Sequence, residues 1–521
     1  MGLCSGASIF VALLFLSLFP AASSERQSQE LEKGRIIDKV VCVKNNQFSY
    51  ALFLPSTYSG EREWPVIICF DPRAQGRRPV EKFQAAAETF GYILAGSLDS
   101  KNGPLEPSQK AAKAVWADIR ERFSIDTGRI YTAGLSGGAE VAAIFPYFVE
   151  TQVAGIISCG AGLPQRHEPG WVKPSSYFGI IGNWDFRYLD MARLEEPFDK
   201  VQVTHRIVYF DGWHQWPPEE LMGESVEWME LMAMKSGLRN KDGRLIEAAY
   251  QKRMKNAADL ESSGRLVSSV HEYESLASDF KDLVDVAKVE EKALAVKSSA
   301  KFRELEKDKR AAEEKELAFQ PRVQHVFAVI EEPVSGQSPL RAKDIAKALE
   351  IDSWVAASIQ TKSLFQSEAA KRVLSQVAVL ADRQGFKARD GGDYRLAALC
   401  FELAAKASAG HPINPGEYFN LACAFAIWGK EKDALKSLRL AVEKGFDDLG
   451  LLESDKDLDS LRATPQYAAI VEELKARRRF PALSSGIHPA SAGGVSGSMS
   501  RGISFPRSMS SSSSTSWPCT R

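Results

Sequence analysis

The sequence predicts an α/β domain, a mostly parallel sheet with helices on both faces, followed by an all-α helical-repeat region. Three observations predict it. Across residues 35–237 short apolar runs alternate with amphipathic helical patterns. Inside that span a strand-like run passes through a glycine-flanked Ser136 and leaves as a helix. Beyond Asp242 the pattern becomes almost wholly helical, with few β-branched runs. At 521 residues the chain has length for about two to four domains and one large core.

The elements follow in order. Residues 40–43 and 48–54 read as an opening pair of strands, closed by Pro55. Residues 65–70 are almost continuously apolar, as expected of a strand covered on both faces. A helix is predicted over 80–90, a strand over 93–97, and a helix over 108–123 with Val115, Ile119 and Phe123 along one stripe. Further strands are predicted at 153–158, 177–181 and 203–210, with a closing helix after Pro218.

The stretch Tyr131-Thr132-Ala133-Gly134-Leu135-Ser136-Gly137-Gly138-Ala139 reads as strand, sharp turn and helix. Such a turn is strained and packs strand closely against helix, so small residues must flank the serine. Gly134, Gly137 and Gly138 meet that need. This is the G-x-S-x-G nucleophile elbow, which holds a serine Oγ clear of the sheet and aims the next amide, here Gly137, at the group attacked. A serine that merely caps a helix would fit the same local pattern. The order of the residues downstream argues against that reading.

In sheets of this kind chemistry sits beyond the carboxyl ends of the strands. After the strand at 177–181 comes Gly182-Asn183-Trp184-Asp185, and after 203–210 comes Asp211-Gly212-Trp213-His214-Gln215-Trp216. The order Ser136, Asp185, His214 is that of α/β-hydrolase connectivity. A serine hydroxyl needs a base as it attacks, and His214 is the candidate. Asp185 would hold the imidazole in the right tautomer and stabilise its charged form. Gly137 would give one oxyanion donor. The second is expected from the loop Asp71-Pro72-Arg73-Ala74, where Pro72 has no amide hydrogen and Arg73 or Ala74 remains. Asp190 and Asp211 are alternative acids, His205 reads as structural within a strand, and His167 as a solvent-facing loop residue. The aromatic residues Trp184, Phe186, Tyr188, Trp213 and Trp216 lie on the same loops. Trp184, Trp213 and Trp216 are the candidate substrate-binding residues, with core packing as their competing role.

At these residues, in "IDTGRIYTAGLSGG" and "FDGWHQWPP", the sequence resembles the secreted α/β-hydrolases grouped with polyhydroxybutyrate depolymerases, feruloyl esterases and dienelactone-hydrolase-like esterases. The resemblance covers residues 35–237. It implies an ester hydrolase with a Ser-Asp-His triad, carried here by Ser136, Asp185 and His214. Many relatives have His-Gly after the third strand, whereas this chain has Asp71-Pro72-Arg73. A carboxylate beside a developing oxyanion is unfavourable, so Asp71 is expected to turn away or to pair, plausibly with an arginine. A serine peptidase of the prolyl-oligopeptidase type shares the triad order, but nothing here reads as the blades of a β-propeller. A reading from another class is a binding protein whose hydrolase fold is a degenerate platform.

The apolar block at 9–19, followed by Pro20-Ala21-Ala22-Ser23-Ser24, predicts a signal peptide over 1–24 and export to the periplasm or the cell exterior. No stable membrane anchor is expected. With 66 basic and 67 acidic side chains and a net charge of −1, no nucleic-acid partner is indicated. Cys69, Cys159, Cys400 and Cys423 lie in apolar runs without C-x-x-C spacing, so neither a disulfide framework nor a metal site nor any other cofactor is expected.

Residues 235–242 form a polar joint. The 34 residues of 415–448 place Tyr418, Leu421, Ala422, Phe425, Ala434, Leu438 and Ala441 where a tetratricopeptide repeat places its packing residues, and resemble one. Gly392, Asp393, Tyr394, Ala397, Phe401 and Ala404 echo half of it, and Gly264, Tyr273 and Leu276 echo it weakly. The second half therefore divides into 242–320, with the weak pair and a Lys/Glu-rich helix over 286–316, and a repeat-like domain over 321–479. The charged helix reads as a solvated face rather than a projecting arm. So few repeats are expected to lean on each other and on the hydrolase, while offering a surface for a protein or peptide partner. The Ser/Gly-rich tail 480–521 has too few apolar residues to fold. The span from Ser136 to Asp185 leaves no room for a large lid, so the site is expected to be open unless the helical half covers it.

Overall fold

The computed structural model describes residues 31–164, 167–173, 175–331, 341–410 and 415–479. The predicted signal peptide and tail lie outside the described residues. Strands β1 (Ile36–Val41) and β2 (Ser49–Phe53) open the sheet as an antiparallel pair. There follow β3 (Trp64–Phe70), α1 (Arg77–Phe90), β4 (Ile93–Ser97), α2 (Leu105–Arg122), β5 (Ile125–Leu135), α3 (Gly137–Val149), β6 (Gly155–Cys159), β7 (Ser176–Gly182), α4 (Tyr188–Ala192), α5 (Glu195–Lys200), β8 (His205–Phe210) and α6 (Glu219–Lys235). Each predicted strand is present, its ends moved by a few residues at most. The predicted helices start three residues later than the real ones, which take in Pro79 and Pro107. Both sit in a first turn, where a missing amide hydrogen costs nothing.

The strand order is β1-β2-β4-β3-β5-β6-β7-β8, antiparallel at β1/β2 and β2/β4 and parallel from β4 to β8. This is the α/β-hydrolase fold. All seven residues of β3 are buried, because side chains alternate between two covered faces. Val66, Ile68 and Phe70 join Val115 and Ile119 of α2 and Phe145 of α3. Ile67 and Cys69 join Val80 and Phe83 of α1 and Val226 and Met229 of α6.

The rest is helical: α7 (Gly243–Ser262), α8 (Leu266–Phe280), α9 (Ala287–Lys297), α10 (Ala300–Glu331), α11 (Ala342–Ala348), α12 (Ile351–Gln360), α13 (Leu364–Asp390), α14 (Tyr394–Ala407), α15 (Pro415–Ile427), α16 (Glu431–Glu443), α17 (Leu449–Ser454) and α18 (Pro465–Arg479). Asp242 starts α7 by accepting the amides of Arg244 and Leu245. The polar joint before it does not end the core. Ile246, Ala249, Tyr273, Leu276 and Phe280 belong to the same apolar cluster as Met229. A buried ion network reinforces the junction: Arg206 of β8 meets Glu272 of α8 at 3.2 Å and Glu224 of α6, and Arg253 of α7 meets Glu272 at 2.8 Å and Asp279.

Helix α10 runs unbroken through the boundary placed at 320/321, with Pro321 inside it. Its apolar face continues past the proline as Phe319, Val323, Phe327 and Ile330, and that burial offsets the lost hydrogen bond. The early part carries spaced ion pairs such as Lys301–Glu304 and Arg310–Glu306 on its exposed side. Helices α15 and α16 bury Ala422, Ala434, Leu438 and Ala441 together, and Ala397, Phe401 and Leu421 join α14 to α15. The helical hairpins therefore stack through small residues. Cys42, Cys69, Cys159, Cys400 and Cys423 are buried and outside any disulfide, and burial pushes the thiols of Cys42 and Cys400 up to about 12. Among the described residues no helix is long and apolar enough to cross a membrane.

Candidate active site

Ser136 sits between β5 and α3 with φ 54° and ψ −125°, a conformation that side chains rarely adopt. The surrounding hydrogen bonds hold it there. Its amide donates to the Cys159 carbonyl at 2.9 Å, and its carbonyl accepts from Ala139 at 2.9 Å and Glu140 at 3.2 Å. A Cβ at Gly134 would collide with the Gly138 carbonyl, and one at Gly138 with the Phe70 carbonyl. The Gly137 amide opens α3, where no carbonyl one turn back can accept it.

Asp185 and His214 meet beyond the ends of β7 and β8. The Asp185 carboxylate, 1% exposed, accepts His214 Nδ1 at 2.8 and 3.0 Å and the Arg187 amide at 2.9 Å. The Arg187 side chain then donates to Glu140 Oε1 in the first turn of α3 at 2.8 Å, which ties the acid loop to the helix behind the serine. The imidazole lies over Gly160: a Cβ there would come within 3.2 Å of its Nδ1 and Cε1. Since Gly160 directly follows the Cys159 carbonyl that holds the Ser136 amide, serine and imidazole are neighbours. No hydrogen bond joins the Ser136 hydroxyl to a described residue. Phe186 supports the imidazole at 4.6 Å between ring centroids.

The other candidates are occupied elsewhere. Asp190 pairs with Arg187 at 3.1 Å, and Asp211 accepts Asn183 Nδ2 at 2.7 Å and faces Arg265 at 3.7 Å. His205 Nδ1 lies 2.9 Å from the Val203 carbonyl. His167 is half-buried rather than solvent-facing, with its ring edge-on to Trp171 at 4.3 Å.

The loop after β3 departs most from expectation. Asp71 is 2% exposed and turns into its own loop and a tryptophan, with its charge felt by the Arg73 guanidinium. Its Oδ1 accepts the Arg73 amide at 2.8 Å and the Gln75 amide at 3.3 Å, and its Oδ2 accepts Trp216 Nε1 at 2.7 Å. The Asp71 carbonyl takes the Ala74 amide at 3.2 Å. Both amides expected to serve an oxyanion are thus engaged by Asp71, Arg73 in an Asx turn with its side chain and Ala74 in a β-turn with its carbonyl. Trp216 is 3% exposed and acts as a brace between loops rather than a substrate wall.

Asn102 has no motif to mark it. Its amide donates to the Pro72 carbonyl at 2.8 Å, and its carboxamide oxygen Oδ1 fills the space that a Cβ of Gly137 would take, with Nδ2 further out. A side-chain amide therefore stands beside the elbow, on the exposed side. Trp184 and Trp213 are half-buried and lean on each other at 4.9 Å. The outer face of Trp184 carries Lys371 Nζ of α13 at 4.4 Å, so this pair faces the helical half.

No family model matches the chain. No curated protein matches it. Among solved structures, the chain is similar to an S-formylglutathione hydrolase from Staphylococcus aureus, at 10% identity and TM-score 0.31 over 37% of this chain and 97% of that one. It is also similar to a ferulic acid esterase, at 13% identity and TM-score 0.32 over 38% and 98%. A third similar structure is a ferulic acid esterase from Anaeromyces mucronatus bound to ferulic acid, at 12% identity and TM-score 0.31 over 38% and 89%. The assignment of the α/β-hydrolase fold to this chain rests on its strand order and not on these likenesses.

Proposed function

We propose that the chain is an exported serine hydrolase that cleaves carboxylic esters through an acyl-enzyme on Ser136. The observation that carries the reading is the buried Asp185–His214 contact at 2.8 Å beside a serine held at φ 54°. His214 Nε2 takes the hydroxyl proton as Ser136 Oγ attacks the ester carbonyl, and Asp185 stabilises the imidazolium. The oxyanion rests on the Gly137 amide and, with the loop amides engaged, on the Asn102 carboxamide once it turns to present Nδ2 in place of the Oδ1 that lies nearest Gly137. Collapse expels the alcohol, which takes the proton from His214. Water then attacks the acyl-enzyme with the same base, releasing the acid and restoring Ser136.

The experiment is fluorophosphonate labelling of the purified protein beside Ser136→Ala and His214→Ala. Labelling of the wild type alone supports the reading; a folded wild type that stays unlabelled overturns it. In that case a second reading takes over, a binding protein on a degenerate hydrolase platform. The occupied Arg73 and Ala74 amides favour it, and the stacked hairpins of α13–α16 would be its peptide-binding surface.

A further inference from the structure

We propose that α13 of the helical half is a working part of the ester-cleaving site, with Arg372 as the positioning residue that fixes the loop carrying Asp185. This rests on the esterase reading. Arg372 is 3% exposed and lies 189 residues from the loop it holds. Its Nη1 donates to the Asn183 carbonyl at 3.0 Å, two residues before Asp185. The same guanidinium lies over the Tyr188 ring at 4.2 Å, three residues after it. One rigid fork therefore spans both shoulders of the acid. Its charge is met by Glu316 of α10 at 2.7 and 2.8 Å, so the fork itself is held.

The hold passes on to the histidine. Asn183 donates its amide to the Phe210 carbonyl at 2.7 Å and its side chain to Asp211 at 2.7 Å, at the root of the loop that carries His214. The Trp184 amide donates to Gly212 at 3.1 Å, while Lys371 on the neighbouring position of α13 covers the Trp184 ring. Adjacent residues of one helix thus grip the acid loop and, through it, the base loop. Val373, Leu374 and Val377 of α13 pack into a cluster of their own with Phe327 and Trp354, apart from the two clusters of the sheet. The sheet core closes without Arg372, so its contacts bear on where the loop sits rather than on whether the sheet forms. A triad needs that placement, since a displacement of about 1 Å can cost roughly 100-fold in rate.

The test uses the full chain, with fluorophosphonate labelling and p-nitrophenyl acetate hydrolysis as probes and Ser136→Ala as the blank. Arg372→Met keeps the length of the side chain and removes the fork. It is expected to lower kcat about 10- to 100-fold with KM changed by less than about twofold, the split that marks lost transition-state stabilisation. It should also weaken the low-field proton NMR signal of a histidine Nδ1–H bonded to a carboxylate. Arg372→Lys, which retains the charge and a donor group but not the planar fork, should recover part of both. A folded Arg372→Met with wild-type kcat and an unchanged signal overturns the proposal. If Arg372→Met does not fold, Arg372→Lys decides: a reduced kcat with a weakened signal supports positioning, and wild-type values overturn it. An unlabelled wild type is a different failure, that of the esterase reading itself.

Discussion

Trp216 Nε1 donates to Asp71 Oδ2 at 2.7 Å, joining the loop that follows β3 to the loop that carries His214. Both side chains are buried, so the bond lies out of water, where a lost partner is costly. Trp216→Phe keeps an aromatic ring but gives up part of the indole volume, and it orphans one carboxylate oxygen. Denaturant unfolding should show a loss of about 1–3 kcal/mol, and KM for aromatic esters should stay near the wild-type value. A large rise in KM with unchanged stability would return Trp216 to the substrate wall.

Asp185→Asn keeps the shape of the acid but cannot stabilise the imidazolium. Steady-state hydrolysis of p-nitrophenyl acetate should fall by roughly 10⁴-fold in kcat. Asp190→Asn and Asp211→Asn, whose carboxylates face Arg187, Asn183 and Arg265 instead of His214, should each stay within about tenfold of wild type.

Asn102→Ala removes the carboxamide beside Gly137 and leaves the Asn102 backbone bond to Pro72 in place. If that carboxamide stabilises the oxyanion, kcat falls by roughly 100-fold or more with little change in KM. Equal rates for the two proteins would remove Asn102 from the mechanism.

Two buried glutamates should give opposite pH signatures. Burial opposes the charge of Glu272, but Arg206 and Arg253 overcome it and hold the carboxyl down at about 2. The unfolded chain then binds more protons between about pH 4.5 and 2, so this contribution is present above that window and is lost as pH falls through it. Glu368 behaves in reverse. Burial pushes its carboxyl up to about 7, Asp211 adds to the rise, and Arg372, Arg265 and Lys371 oppose it. The folded protein holds the proton longer, so stability declines as pH rises from about 4.5 to 7. Each glutamate contributes up to about 3 kcal/mol, at about 1.4 kcal/mol per pH unit. In denaturant melts across pH 3–8, Glu368→Gln should flatten the upper slope and Glu272→Gln the lower one. A Glu368→Gln variant with the wild-type slope above pH 4.5 would show that Glu368 ionises freely.

The parts legible from the sequence were those written in local pattern. A serine between glycines at the end of a β-rich run has few backbone solutions, and the strand ends at Gly182 and Phe210 followed from alternating apolar runs. Trp216 shared a motif with His214, yet which way its indole N–H points depends on Asp71, 145 residues away. The capture of the Arg73 amide by Asp71 is equally invisible, because an Asx turn and an open oxyanion loop use the same residues. Asn102 and Arg372 left no trace at all. Each is a single polar side chain in a surface-like context, and only the tertiary approach of a distant segment gives it a partner. The boundary expected at 320/321 falls inside one helix, because burial of Phe319 and Val323 carries it past Pro321.

Because Ile246, Tyr273 and Leu276 complete the cluster that holds Met229 and Val226, the smallest portion of this chain that can be inherited, transplanted or expressed intact is longer than the sheet and its own helices. A gene fragment ending at residue 237 would keep α6 but strip it of the apolar cover that Ile246, Tyr273 and Leu276 supply, leaving a surface prone to self-association. The physical edge of the sheet-bearing unit therefore lies beyond α8 and not at the polar joint before Asp242.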